Sequence, residues 1–135
     1  MRHPHGIRLY LSHRWRYSQE YKGLVGMLDR DPDFLWCNYS VCEETPFLTT
    51  SPRKLEEGLR DQIKRAHVVL VVGAMDVPHS EPMLTEIEFA LEFKKPLIWV
   101  IPRGAQRLPG FVDDVADKVV GWSTRSIVDA VERFA

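Results

Sequence analysis

Long apolar runs are missing from this sequence: nothing in its 135 residues approaches the ~20 that a bilayer span requires, and the opening MRHPHG lacks the apolar core of a secretory leader. Both absences predict a cytoplasmic protein with no membrane partner. Cysteine is scarce. Cys37 and Cys42 are the only two, their spacing does not match a zinc knuckle, and both are expected as reduced thiols. Five scattered histidines make no ligand set, and His3 and His5 would grip a metal only adventitiously on a frayed terminus, so no metal site is expected. Charge of one sign is missing too: 18 basic against 19 acidic residues leave a net charge of −1, spread without a stripe, which argues against nucleic acid as a partner. Phosphate loops of the G-x-G-x-x-G or Walker kind are absent, and so are internal repeats and low-complexity tracts.

What is present is an ordinary globular composition, 44% apolar and 27% charged, in a length that holds one core and not two. This predicts a single domain over residues 1–135, with 1–6 as a flexible N-terminus. Its centre is the stretch from His67 to Leu91. Val68 to Val72 is β-branched and apolar without alternation, as a strand covered on both faces requires. Gly73 ends it, Ser80 can cap the next helix, and Pro82 loses nothing in the first turn, where its missing N–H would have no intrahelical partner. At about 100° per residue, Met83, Ile87, Ala90, Leu91 and Lys94 share one side of that helix. Glu88 and Glu92 lie nearly opposite, and Glu86 sits at the margin of the apolar face.

Ile7 to Leu11 is a first strand. Tyr17, Tyr21, Leu24 and Leu28 then recur at helical spacing, so a helix covers Tyr17 to Arg30 and breaks before Pro32. Gly23 and Gly26 each weaken it by ~1 kcal/mol relative to alanine, unless they admit close packing on a sheet. Phe34 to Tyr39 reads as a second strand, followed by a polar connection from Ser40 to Thr50. Ser51-Pro52 opens a helix with Leu55, Leu59, Ile63 and Ala66 on one face. Leu97 to Ile101 is another unalternating strand, Phe111 to Ala116 at most a short helix, and Lys118 to Trp122 a thin edge strand. Ser123 or Thr124 caps a last helix with Ile127, Ala130, Val131 and Phe134 inward. This alternation predicts an α/β, flavodoxin-like three-layer sandwich of about five parallel strands in the order 2-1-3-4-5, with helices on both faces.

Such an order places the ligand crevice at the carboxyl ends of strands one and three, and brings Ser12, His13, Arg14 and Trp15 beside the segment Asp76 to Glu86. SHRWRYS has no glycine to let the backbone approach a flavin phosphate. It also lacks the carboxylates with which a response-regulator receiver holds magnesium. What the crevice offers is one carboxylate, Glu86, hydroxyls at Ser12, Ser40 and Ser80, and His13, Arg14, Trp15 and His79 around them. This set suits cleavage of an N-glycosidic bond, in which a carboxylate aimed at an oxocarbenium-like ribosyl group stabilises charge that develops in the transition state. A cationic leaving group such as nicotinamide needs little acid assistance, so one glutamate suffices where ordinary glycosidases use two. Ser80 reads equally as a helix cap, and a tryptophan at a strand end as packing.

YLSHRW near the N-terminus, SEPMLTEI from Ser80 to Ile87, KKPLIWVIPRG, and DKVVGWSTRSIVDAV at the C-terminus together resemble the TIR-like domains of the Thoeris antiphage-defence protein ThsB and its bacterial relatives, over nearly the whole chain. The GW-S-T-x-S-I-V block and the S-x-x-x-x-x-E spacing are the more specific parts. The resemblance implies an enzyme that takes NAD+ as substrate, with no other cofactor, releases nicotinamide, and makes a cyclic or modified ADP-ribose signal read by a separate effector protein. It implies Glu86 as the catalytic residue, Ser80 as the serine that precedes it, and Ser12 to Trp15 as the lining of the ribose and nicotinamide pocket. Ser40 and His79 complete the expected substrate-binding set, and Ser40 to Thr50 matches a loop that reaches a neighbouring subunit, hence self-association. Pro82 departs from the aromatic that relatives often carry two residues after the serine, which alters a pocket wall. Two other functions fit the same residues: a non-catalytic adaptor that self-associates, and a nucleoside deoxyribosyltransferase-like enzyme of related fold.

Overall fold

The computed structural model describes residues 3–12, 18–40, 52–75 and 77–135, with the backbone alone at 18, 52–55 and 79. Stretches rich in β-branched and aromatic side chains form the strands: β1 Ile7–Ser12, β2 Trp36–Asn38, β3 Val68–Val72, β4 Leu97–Val100 and β5 Lys118–Val120. They pair in parallel in the order β2-β1-β3-β4-β5. The helices are α1 Ser18–Arg30, α2 Pro52–Arg65, α3 Glu81–Glu92, α4 Val112–Val115 and α5 Thr124–Phe134, and a 3₁₀ turn at Val77–His79 precedes α3. This is the flavodoxin-like arrangement that the alternation of strand and helix predicts. No helix among the described residues is long and apolar enough to cross a membrane.

Two apolar layers hold the sheet between helices. Leu9, Leu11, Leu70, Val72 and Ile98 join Leu24 and Leu28 of α1 and Ile127 and Val131 of α5 on one face. Tyr10, Val69, Val71 and Trp99 join Ile63 of α2 and Met83 and Ile87 of α3 on the other. Every side chain of β3 is therefore buried, which is why that strand reads as an uninterrupted apolar run. Burying one such Val or Leu contributes about 1.5–3 kcal/mol.

Four local expectations are corrected. β2 is shorter than Phe34 to Tyr39, because an edge strand has one neighbour to pair with; Phe34 is buried ahead of it, and the Tyr39 N–H reaches Leu9 O at 2.8 Å just beyond it. In α3, Leu91 is 46% exposed while Phe89 and Glu86 are buried. The helix lies beside α2, where Arg60 stands over the Phe89 and Phe93 rings at 5.6 and 5.0 Å, and this contact turns the buried arc away from Leu91. Gly23 does admit close packing, but under Trp122: a Cβ there would lie 3.1 Å from the indole, whereas Gly26 faces open space. Phe134 is only partly buried.

The chain leaves β1 toward β2 on one side and returns to β3 on the other, so the carboxyl ends of β1 and β3 flank the point where the strand order reverses. The turn leading from β3 into α3 is tightly made. Gly73 approaches Val77 so closely that a Cβ would fall 2.2 Å from its Cγ2, and the buried Trp99 indole N–H donates to Gly73 O at 2.9 Å. Ser80 then caps α3, its hydroxyl accepting the Met83 N–H at 3.5 Å, with Pro82 in the first turn.

Candidate active site

Side chains alternate along a strand, so Tyr10 and Ser12 of β1 share one face, and that face looks toward α3. Glu86, near the middle of α3, points back at them. Its Oε1 accepts the Ser12 hydroxyl at 3.1 Å, and its Oε2 accepts a short hydrogen bond from the Tyr10 hydroxyl. Tyr10 and Ser12 are completely buried and Glu86 is 5% exposed. The carboxyl thus lies inside the buried arc of α3 and not at its margin.

Burial pushes the Glu86 carboxyl up from its ordinary 4.5 to about 7, while the Tyr10 and Ser12 hydroxyls, which favour the charged form, pull the other way. Burial also raises the Tyr10 phenol well above its ordinary value, helped by the facing charge of Glu86 and their hydrogen bond. The phenol therefore stays protonated and donates. The result is a carboxyl that changes charge near neutrality, oriented at both oxygens, at the carboxyl edge of a parallel sheet where its order reverses. As a carboxylate it can stabilise a cationic centre or attack one; as an acid it can donate a proton.

Of the residues expected from sequence, Ser12 and Glu86 are brought into contact. Ser80 is placed as the α3 cap, with its hydroxyl on Met83. Ser40 is drawn to the β1–β2 edge: its hydroxyl accepts the Leu11 N–H at 3.0 Å and donates to Asn38 Oδ1. His79 falls in the 3₁₀ turn, where only its backbone is described. His13, Arg14, Trp15, Asp76, Cys42 and positions 41–51 lie outside the described residues. His3 packs on the His67 ring with centroids 4.2 Å apart, and Cys37 is a free thiol. Tyr10 is the residue that sequence reasoning missed. The available signal was its parity with Ser12, two positions along the same strand.

Fold and site together define a flavodoxin-like α/β domain of the TIR-like class with a buried, hydroxyl-held glutamate at its crevice. The chain belongs to the family of the Thoeris protein ThsB, TIR-like domain, whose pattern matches residues 10–107. No curated protein matches it. Among solved structures it is similar to the CMP N-glycosidase of Clostridium botulinum, with 17% identity, a TM-score of 0.59, and 94% of this chain covering 99% of that one. It is also similar to the 2-deoxyribosyltransferase of Bacillus psychrosaccharolyticus, with 14% identity, a TM-score of 0.60, and coverage of 84% and 85%. At these identities the likeness is one of fold.

Proposed function

We propose that this domain cleaves N-glycosidic bonds of ribosyl substrates, with NAD+ as the substrate and Glu86 as the catalytic carboxylate, and that its product is a cyclic or modified ADP-ribose signal in Thoeris-type antiphage defence. The observation that carries the reading is the Glu86 carboxyl, almost fully buried at the crevice and held at both oxygens by Tyr10 and Ser12. A surface glutamate placed for solubility has no need of either donor, and burying one costs free energy that an apolar residue would not. Membership of the ThsB family supports the Thoeris setting.

In the proposed reaction the bond between C1′ and the nicotinamide nitrogen breaks, and its electron pair leaves with the pyridinium, which departs neutral without a proton. The ionised Glu86 faces the positive charge left on the ribosyl group and stabilises it or bonds to C1′. Water then gives ADP-ribose, and a nucleophile within the same molecule gives a cyclic product. NAD+ enters as substrate, and no resident cofactor is invoked. Self-association, a separate effector that reads the product, and contacts from His13, Arg14 and Trp15 belong to the same proposal.

Purified protein and Glu86→Gln, incubated with NAD+, test it. The wild type should release nicotinamide, with the variant at least about 100-fold slower and still folded by circular dichroism. Equal release from both would overturn the role of Glu86. A folded wild type that releases none, together with a Glu86→Gln variant that keeps full biological effect, would favour the adaptor reading. A second substrate class has a specific motive in the fold shared with a CMP N-glycosidase and a deoxyribosyltransferase. CMP and a panel of deoxynucleosides belong in the same assay, and base release from those alone would move the assignment to nucleotide or nucleoside cleavage.

A further inference from the structure

Arg8, His67 and Lys95 form a basic row across the amino edge of the sheet, the edge opposite Glu86. The register sets it. Leu9 pairs with Val68 and Val69 with Leu97, so Arg8 stands beside His67 and His67 beside Lys95, where the chain enters three adjacent strands ~4.8 Å apart. The His67 N–H donates to Arg8 O at 2.8 Å, which carries the pairing of β1 and β3 down to this level. All three residues share the parity of Tyr10, Val69 and Leu97, whose side chains pack toward α2 and α3, and all three are half-buried. Arg8 Nε donates to Arg65 O at 2.6 Å, so the guanidinium lies on that face, at the end of α2.

No carboxylate answers this row. Among the described residues Arg65 pairs with Asp61 and Arg60 with Glu92, while Arg8 and Lys95 pair with none. Lys64, Arg65 and Lys94 stand where the carbonyl ends of α2 and α3 favour a cation, and Arg8 gives only its Nε to such a carbonyl. Lys95 has neither duty. The groups feel one another: burial first, then the charges of Arg8, His3 and Lys95, lower the His67 pKa to about 4, and burial, then Arg8, lowers that of Lys95. Donors are left over as well. His67 Nδ1 accepts the Arg8 N–H at 2.8 Å, so the neutral ring carries its hydrogen on Nε2. Arg8 keeps both Nη groups, and the Lys95 ammonium keeps its three hydrogens. The His3 ring lies against His67 with centroids 4.2 Å apart, and its Nε2 is buried without a partner among the described residues. A buried polar atom left in this way points to a group that the chain itself does not supply.

We propose that this row is a second binding site, taking a phosphate dianion, free or on a nucleotide, whose oxygens accept from the Arg8 Nη groups, the His67 Nε2–H and the Lys95 ammonium beside His3. Two cations match a doubly charged oxyanion better than a carboxylate, and the planar fork of Arg8 suits two oxygens of one phosphate. The site lies at the other end of β1 from Glu86 and does not depend on the chemistry proposed there.

The test is titration of the full chain with inorganic phosphate, and separately with AMP, at an ionic strength held constant with sodium chloride, reading the His67 ring protons by NMR. Saturable shifts with a Kd of about 1 mM or below are expected. Lys95→Gln removes an ammonium that has no partner in the fold, and should weaken binding about tenfold with the unfolding temperature unchanged. Lys94→Gln removes a cation one position off the row, and should weaken it less than about twofold. Tighter binding of AMP than of phosphate assigns a nucleotide as the source, and affinity for AMP no greater than for phosphate assigns the free ion. No saturable His67 shift by either probe below about 10 mM, the same shift from sodium chloride alone, or equal affinities of the two variants would overturn the site. Nicotinamide release is not read in this experiment, so its failure leaves the role of Glu86 untouched.

Discussion

Tyr10 donates to a carboxyl 76 positions away, and nothing local in IRLYLS marks it as more than core filling. The partner of the phenol is decided only when β1 and α3 dock. Ser12 could be read from its place at a strand end beside the reversal point, and Glu86 as the carboxylate of the helix that follows β3, singled out by the resemblance to the ThsB family. The depth of Glu86 could not, because burial depends on the angle at which α3 lies on the sheet. The Tyr10 bond favours the ionised carboxyl and so opposes the effect of burial. Tyr10→Phe should therefore raise the Glu86 pKa above its about 7. If the ionised form is the active one, log kcat/KM for nicotinamide release climbs through about pH 7 in the wild type and at higher pH in the variant. Activity at neutral pH should fall roughly tenfold, the size expected for a lost bond to a charged group. A pH profile that does not move would show that the phenol has no part in the proton balance of Glu86.

Among the elements, β3 and α3 were the most readable, because an unalternating β-branched run and a serine cap with a following proline each have one plain structural meaning. The buried arc of α3 was less so: helical periodicity fixes angles within the helix, while the neighbour it packs on, here α2, decides which arc is turned inward. The turn between β3 and α3 carries a sharper constraint than the sequence suggests. Gly73 could pass for a simple strand end, but its missing Cβ is the space that Val77 occupies, and Val77 is fully buried and β-branched, with little freedom to move aside. Gly73→Ala should destabilise the domain by about 1–3 kcal/mol, measured by urea unfolding with the slope unchanged. Stability equal to wild type would mean that the turn can relax at no cost, and that it does not hold the start of α3 in place.

At the scale of the whole molecule, strand order was readable because alternating strands and helices leave few topologies open, whereas the chemistry was not, since one fold hosts many activities. Glu86 makes stability itself depend on pH. Its folded value of about 7 exceeds the ordinary 4.5, so the folded state prefers the neutral form; that contribution is complete below about 4.5 and is lost as pH rises through about 7. Thermal unfolding of the wild type and Glu86→Gln between these limits should show the variant gaining on the wild type as pH rises. Parallel curves would mean that Glu86 ionises as readily in the folded protein as in the open chain.

Arg8, Tyr10 and Ser12 occupy alternate positions on β1, and the first of them pins the strand: Arg8 N–H donates to His67 Nδ1 at 2.8 Å, its Nε donates to Arg65 O at 2.6 Å, and the His67 N–H returns to Arg8 O at 2.8 Å. Burial, together with the charges of Arg8, His3 and Lys95, lowers the His67 pKa to about 4, so the ring stays neutral and able to accept. A slip of β1 by one residue would turn both hydroxyls to the opposite face. A slip by two that set Arg8 in the place of Tyr10, and Tyr10 in that of Ser12, would break the paired hold on Glu86. The latch at the foot of the strand thus acts as a gauge for its head: only a molecule that has threaded β1 in register presents an oriented carboxyl, and copies that thread it wrongly fold without one.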